Sequence, residues 1–119
     1  MQSQKSSAIS SLSNLDGRKV AILGDMKELG SEELKLHFDT GVYAKSKDIG
    51  TVITVGELAK ELAKGADGKA FYIIEDAKPE ILKTIKSGDV VLVKASHSME
   101  FENIVEFLKQ NFLFTTKKC

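Results

Sequence analysis

The sequence is poor in the side chains that form disulfides and hold metals. Its 119 residues include one cysteine, which is the last residue, and two histidines. A single cysteine cannot close a disulfide within the chain, and a reducing compartment is the natural setting for this composition. Two histidines and one terminal cysteine are also too few for a structural zinc site. We therefore expect no metal site in this chain and a cytoplasmic location.

Excess charge and long apolar runs are missing as well. Seventeen basic residues balance seventeen acidic ones, so the chain lacks the positive field that holds proteins against nucleic-acid phosphates. No apolar run approaches the roughly 20 residues that cross a bilayer. The first residues, 1–13, are polar and rich in serine, unlike a signal peptide. The sequence thus predicts neither nucleic-acid binding nor membrane insertion.

The signatures of independent nucleotide enzymes and of hydrolases are absent too. There is no GxxxxGKS/T phosphate loop and no G-x-G-x-x-G fingerprint, and Gly24 with Gly30 alone is too weak to indicate a dinucleotide site. A serine nucleophile at Ser96 or Ser98 is disfavoured, because a serine directly ahead of a helix is more often a cap. We therefore reject a hydrolase.

Four short apolar runs predict strands, at residues 19–23, 51–55, 70–74 and 89–93. The runs are continuous rather than alternating, as expected of strands covered on both faces of a parallel sheet. A helical pattern follows each run. Four strand–helix units in succession favour an α/β fold, a Rossmann-like three-layer αβα domain with a mainly parallel sheet.

Apolar residues at helical spacing predict which face of each helix packs on the sheet. For the first helix, with Ser31 as its cap, that face comprises Leu34, His37, Phe38, Gly41 and Val42. The third helix is expected to begin at Asp76, with Pro79 tolerated in its first turn. Gly65 is expected to end the second helix.

Polar candidates concentrate where the strand order is expected to reverse. In doubly wound sheets, ligands bind at the carboxyl ends of strands at such a point. If the strand order is 3-2-1-4, this crevice lies between the first and fourth strands. The two loops that leave these strands, 24–30 and 94–98, contain Asp25, Lys94 and Ser96. A shared site therefore requires that both loops meet at one edge of the sheet.

Two sequence blocks carry a resemblance to a known family. They are residues 17–30, GRKVAILGDMKELG, which precede a helix with His37, and residues 88–99, GDVVLVKASHSM. Both blocks resemble the carboxyl-terminal domain of the Mur ligases that attach D-alanyl-D-alanine, whose second block reads GDxxLxKGSRxM. The order and spacing of the blocks also match, so the resemblance covers about residues 17–108.

The chain departs from the family pattern at two positions of the second block. Ala95 and His97 stand where the family usually has glycine and arginine. A histidine cannot reproduce the permanent bidentate contact of a guanidinium with a phosphate or carboxylate. The departure puts an anion-clamping role at His97 in doubt.

The resemblance implies one domain of an ATP-dependent amide ligase of bacterial peptidoglycan synthesis. In such a ligase ATP, with Mg²⁺, phosphorylates the carboxylate of UDP-N-acetylmuramoyl-tripeptide, and the amine of D-alanyl-D-alanine attacks the acyl phosphate. The present domain closes over the central ATPase domain of the same chain and excludes water. We expect the fragment to be inactive alone, to contain no catalytic residue and to bind no cofactor tightly.

The resemblance also implies domain boundaries. Residues 1–16 are expected to be the end of a linker helix from a missing central domain, residues 17–112 the ligase domain, and residues 113–119 a frayed tail.

The same resemblance implies a substrate-binding set: Asp25, His37, Lys94, Ser96 and His97. Each residue also has a plain structural interpretation. Asp25 can stabilise its turn, Lys94 can be merely solvated, and Ser96 can cap its loop. His37 can be a packing histidine, since its spacing places it on the apolar stripe of its helix. For Asp25 and Ser96 the two interpretations carry equal weight.

Two other classes of protein remain as alternatives. Asp25 and Lys94 stand at strand ends where a phosphoacceptor receiver module keeps an acidic residue and a lysine. A receiver also needs an acidic pair after the first strand and an aspartate after the third, whereas Asp25 is single and residues 75–76 open a helix. A stand-alone nucleotide-binding module is disfavoured by the missing glycine signature.

Overall fold

The computed structural model describes residue 9 and residues 12–26, 30–86, 88–95 and 101–111. Within these residues, four strands form one sheet: β1 Lys19–Gly24, β2 Thr51–Val55, β3 Lys69–Phe71 and β4 Val90–Lys94. The helices are α1 Glu33–Ser46, α2 Ala59–Ala66, α3 Ile74–Thr84 and α4 Glu102–Asn111, and a 3₁₀ turn, Gly30–Glu32, precedes α1. None of the described helices combines the length and the apolar character that crossing a bilayer requires.

The strand order is β3-β2-β1-β4, and every neighbouring pair is parallel. This is the order on which the expected crevice depends. Ile22 at the centre of β1 pairs with Ile53 of β2 on one side and with Val93 of β4 on the other. The chain leaves β1 toward β2 and β3 and returns to the opposite side as β4. The order thus reverses between β1 and β4, which is the place where such sheets bind ligands.

Two apolar cores cover the two faces of the sheet. Val20 and Ile22 of β1 belong to the core beneath α3 and α4, with Ile81 and Ile104. Their neighbours Ala21 and Leu23 belong to the core beneath α1 and α2, which also includes Ala44, Leu62, Ile9 and Leu12. Successive residues of a strand point to opposite faces, so the continuous apolar run of β1 fills both cores. The three-layer αβα fold is confirmed.

The buried residues Ile9 and Leu12 show that chain ahead of β1 packs into the core. Both fall within the segment that the sequence assigns to a linker, residues 1–16. The boundary at residue 17 stays a prediction. The predicted frayed tail, residues 113–119, lies outside the described residues.

The buried face of α1 differs from the predicted one. Three large apolar side chains predicted to face the sheet are 54%, 41% and 45% exposed: Leu34, Phe38 and Val42. The buried residues of α1 are two members of the predicted face, His37 and Gly41, together with Ala44. A Cβ on Gly41 would lie under 3.0 Å from the Leu62 carbonyl, and one on Gly65 under 3.0 Å from the Phe38 carbonyl. Because the two helix backbones approach so closely, α1 packs with the face that contains Gly41.

Several predicted ends of elements were also wrong. Ser31 lies in the 3₁₀ turn, and α1 begins after Glu32 without a side-chain cap. The edge strand β3 pairs with β2 alone and ends at Phe71, so α3 begins already at Ile74. Asp76 therefore lies in the first turn of α3, where a negative charge is favourable, and Pro79 falls in the second turn. Gly65 lies inside α2, because the contact with α1 requires glycine there.

An ion pair joins β1 and β4 at the amino-terminal edge of the sheet. Arg18 Nε and Nη2 donate to the two carboxylate oxygens of Asp89 at 2.9 and 2.6 Å, and Arg18 Nη2 also donates to the Thr84 carbonyl. Asp89 Oδ2 accepts a further hydrogen bond from the Lys86 N–H at 2.8 Å. These hydrogen bonds hold the pKa of Asp89 below its ordinary value of 3.8, and those from Arg18 contribute most. Burial acts in the opposite direction.

We predict that Asp89→Asn lowers the free energy of unfolding by about 1–2 kcal/mol at neutral pH, because the bonds from Arg18 lose their charged acceptor. A lowered pKa stabilises the fold above pH 3.8, and this contribution is lost as the pH falls through the folded-state pKa. The difference between wild type and variant should therefore shrink below about pH 4. Urea unfolding across pH measures it. Asp16→Asn at an exposed site is the control, and a pH-independent difference would contradict the assignment.

Candidate functional site

The carboxyl ends of β1 and β4 lie side by side. Leu23 pairs with Lys94 in the parallel register. A Cβ on the next residue, Gly24, would lie under 3.0 Å from the Ala95 Cβ and from the Phe101 ring. Only glycine fits at position 24, because its neighbours already occupy the space of a side chain. The expectation that the turns leaving β1 and β4 meet at one edge of the sheet is confirmed by this contact.

The Asp25 side chain joins the end of β1 to the start of α2. Asp25 is 7% exposed, and its Oδ1 accepts a hydrogen bond from the Ala59 N–H at 2.7 Å. Ala59 is the first residue of α2, so the carboxylate meets an N–H that the helix itself leaves unpaired. Gly56, with φ of +121°, lies against this carboxylate, and a Cβ there would clash with it.

The His37 side chain reaches from α1 to the residue after Asp25. It is 1% exposed. The Met26 N–H donates to His37 Nε2 at 2.9 Å, and His37 Nδ1 lies 2.6 Å from the Glu33 carbonyl oxygen. Both ring nitrogens therefore have main-chain partners within the domain. The structure places His37 at the loop leaving β1, on the candidate site edge.

Lys94 is the last residue of β4 and is half-buried. Val90 and Leu92 pack against the core beneath α1 and α2, and the alternation of a strand puts Lys94 on the same face. Within the described ranges, the Lys94 ammonium has no hydrogen-bond or ion-pair partner. Lys94, Asp25 and His37 thus share one edge and one face of the sheet. Ser96 and His97 lie outside the described residues.

Partners of these residues could not be found from the sequence. Met26 and Ala59 contribute only their main-chain N–H groups, which carry no sequence signal. Gly56 directly after β2 was the one available hint, since a glycine at a strand end often marks a close approach. In the described part of the chain, no group of three or more His, Cys, Asp or Glu residues is arranged to hold a metal ion.

A concave surface lies away from this edge and was not predicted. It is a groove of about 650 Å³ between α3 and α4, lined in part by Val55, Tyr72, Glu75, Lys78 and Phe107. The Lys78 ammonium lies 5.1 Å from the centroid of the Phe107 ring and 3.6 Å from the Glu75 carboxylate. None of Asp25, His37 and Lys94 is among the lining residues, so the groove is separate from the β1–β4 edge.

The fold and the site together define the class of this protein. A parallel sheet of order 3-2-1-4, covered by helices on both faces, with polar side chains at the carboxyl edge of its central strands, is a Rossmann-like αβα domain. The match to known families is more specific. The family described as Mur ligase, glutamate ligase domain matches residues 4–97, and the chain belongs to this family.

Relatives of the chain are ligases of one kind. A protein of Buchnera aphidicola (subsp. Acyrthosiphon pisum) is 31% identical in a 116-residue alignment that covers 95% of this chain and 25% of that protein. A protein of Bacillus subtilis is 35% identical in a 102-residue alignment that covers 77% of this chain and 22% of that protein. Both are named UDP-N-acetylmuramoyl-tripeptide--D-alanyl-D-alanine ligase. The chain spans about a quarter of the length of these relatives.

Solved structures agree with this relationship. MurF from Acinetobacter baumannii superposes with a TM-score of 0.83 at 26% identity, over 91% of this chain and 25% of that one. MurF ligase from Thermotoga maritima in complex with ADP gives a TM-score of 0.79 at 25% identity, over 92% and 26%. The expected resemblance and fold are therefore confirmed. The comparisons do not favour a receiver-like or a stand-alone nucleotide-binding module.

We predict that Asp25→Ala lowers the free energy of unfolding of this chain by about 1–2 kcal/mol, because the Ala59 N–H loses its acceptor. Asp25→Asn keeps an oxygen at that place and should lose clearly less. Chemical denaturation measures both variants, and Asp16→Ala at an exposed site is the control. Equal losses in the two Asp25 variants would show that the bond to Ala59 does not stabilise the fold.

Proposed function

We propose that this chain is the carboxyl-terminal domain of the ATP-dependent ligase that joins D-alanyl-D-alanine to UDP-N-acetylmuramoyl-tripeptide in peptidoglycan synthesis. One observation carries this function. The two family-like blocks, residues 17–30 and 88–99, are far apart in sequence, yet they form the neighbouring strands β1 and β4. Membership of the family and the names of the relatives support the same reaction.

The β1–β4 edge faces the incoming dipeptide in this proposal. Lys94 supplies a half-buried positive charge for the dipeptide carboxylate or for a phosphate, and partial burial strengthens such an attraction. Asp25 has one oxygen committed to Ala59, and its other oxygen is proposed to meet the ammonium of the dipeptide. Ser96 is proposed to hydrogen-bond the dipeptide carboxylate, beside His97, which provides a single donor instead of a guanidinium fork. His37 is proposed to act on this set indirectly, because both of its ring nitrogens have main-chain partners.

ATP and Mg²⁺ belong to the complete ligase. One solved relative holds ADP. The described residues of this chain contain no cluster arranged for a metal ion, and the sequence has no phosphate loop. Mg²⁺ and the triphosphate are therefore assigned to the central ATPase domain, which is the proposed partner in the same polypeptide. Closure of the present domain would exclude water from the acyl phosphate. The proposed location of the ligase is the cytoplasm.

We predict that Lys94→Ala, made in the complete ligase, lowers kcat/KM for D-alanyl-D-alanine by roughly 10- to 100-fold, as expected for losing a charged hydrogen bond. Lys94→Arg should keep more of the activity, because it keeps the charge. Release of phosphate that depends on both the tripeptide and the dipeptide is the measurement. Thermal unfolding should change little, since Lys94 has no partner in the described residues.

Lys109→Ala, on the exposed side of α4, is the matched control and should leave kcat/KM unchanged. The 119-residue chain alone should neither ligate nor turn over ATP. Vigorous ATP hydrolysis by this chain, or a complete protein that does not use D-alanyl-D-alanine, would contradict the proposed function.

A further inference from the structure

We infer that His37 is a positioning residue, which fixes Met26 at the start of the loop leaving β1: Nε2 accepts the Met26 N–H while the Nδ1–H donates to the Glu33 carbonyl. Its effect on ligation rests on the proposed function. The tautomer and the position of the loop do not depend on that function.

The two hydrogen bonds of His37 determine where its proton lies. A main-chain N–H only donates, so Nε2, which lies 2.9 Å from the Met26 nitrogen, must present its lone pair. A carbonyl oxygen only accepts, so Nδ1, 2.6 Å from the Glu33 oxygen, must carry the proton. Only the neutral imidazole with its proton on Nδ1 satisfies both partners. An imidazolium would place an N–H against the Met26 N–H.

Burial keeps His37 in this arrangement. The side chain is 1% exposed and lies on the face of α1 that also buries Gly41 and Ala44. Neither ring nitrogen is left for a substrate, and turning the ring outward would leave the Met26 N–H without its acceptor. His37 therefore acts on the site through the main chain of Met26.

The loop is held by two helices at two consecutive residues. The Asp25 carboxylate is bonded to α2 through the Ala59 N–H, and the Met26 N–H is bonded to α1 through His37. The helices are themselves locked together at Gly41, one turn along α1 from His37. Asp25 or Met26 therefore moves only if one of these two hydrogen bonds breaks.

The test compares His37→Gln with His37→Leu. The glutamine Oε1 can reach the place of Nε2 and accept the Met26 N–H, whereas leucine fills a similar volume and accepts nothing. In the wild-type chain, nitrogen NMR of the imidazole should show a single neutral form protonated at Nδ1. Amide exchange at Met26 should accelerate about tenfold in His37→Leu, as expected for losing one hydrogen bond, and much less in His37→Gln. The Ile53 amide in the central sheet is the internal control.

The same variants in the complete ligase test the consequence for the site. His37→Leu should lower kcat/KM for D-alanyl-D-alanine by about tenfold or more, while KM for ATP stays the same, and His37→Gln should restore most of the loss. A wild-type ligase that does not use the dipeptide would refute the proposed function and leave the NMR result intact. A proton on Nε2, unchanged Met26 exchange, or equal ligation by wild type and His37→Leu would overturn the inference. If His37→Leu does not fold, the wild-type tautomer and His37→Gln decide it.

Discussion

The parallel pairing of β1 with β4 is the constraint on which the rest of the structure depends. The strands are about 70 residues apart in sequence, yet Lys19 pairs with Val90 and Leu23 with Lys94. At the amino-terminal edge, the Arg18–Asp89 ion pair fixes the start of both strands. At the carboxyl edge, the missing side chain of Gly24 lets Ala95 and Phe101 close in. Because the pairing is held at both ends, the residues that directly follow β1 and β4 lie next to each other.

The helix pair on one face of the sheet then determines the shape of that edge. Gly41 and Gly65 let α1 and α2 approach until backbone meets backbone. Each helix holds one residue of the loop after β1: α2 holds Asp25 through its first N–H, and α1 holds Met26 through His37. Lys94 stands on the same face without a partner in the described residues. The β1 side of the edge is thus held by hydrogen bonds to both helices. The β4 side carries Lys94, whose charge has no partner in the described residues.

The sequence predicted the features that depend on composition and on the spacing of apolar residues. Continuous apolar runs predicted β1, β2 and β4, because both faces of β1 and β2 are buried and those of β4 are half-buried. The alternation of strands and helices predicted the parallel sheet. The exposure of Phe38 was not predictable, because it depends on the close approach of α1 and α2, in which Gly41 lies against the Leu62 carbonyl and Gly65 against the Phe38 carbonyl. Local cap signals at Ser31 and Asp76 failed because the lengths of the neighbouring turn and of β3 moved the helix starts.

The site was predictable only as far as its location. Asp25, His37 and Lys94 do lie at one edge, but what Asp25 and His37 bind depends on main-chain groups 34 and 11 residues away. Such main-chain partners cannot be identified from the sequence. The groove between α3 and α4 was not predictable either, because it arises from tertiary packing.

Mapping of D-alanyl-D-alanine onto the isotope-labelled chain by amide chemical shifts tests most directly whether the β1–β4 edge is the working surface. The amide chemical shifts should change most at Asp25, Met26, Lys94 and Ala95. Shifts confined to the groove at Tyr72 and Phe107, with the β1–β4 edge unchanged, would contradict it.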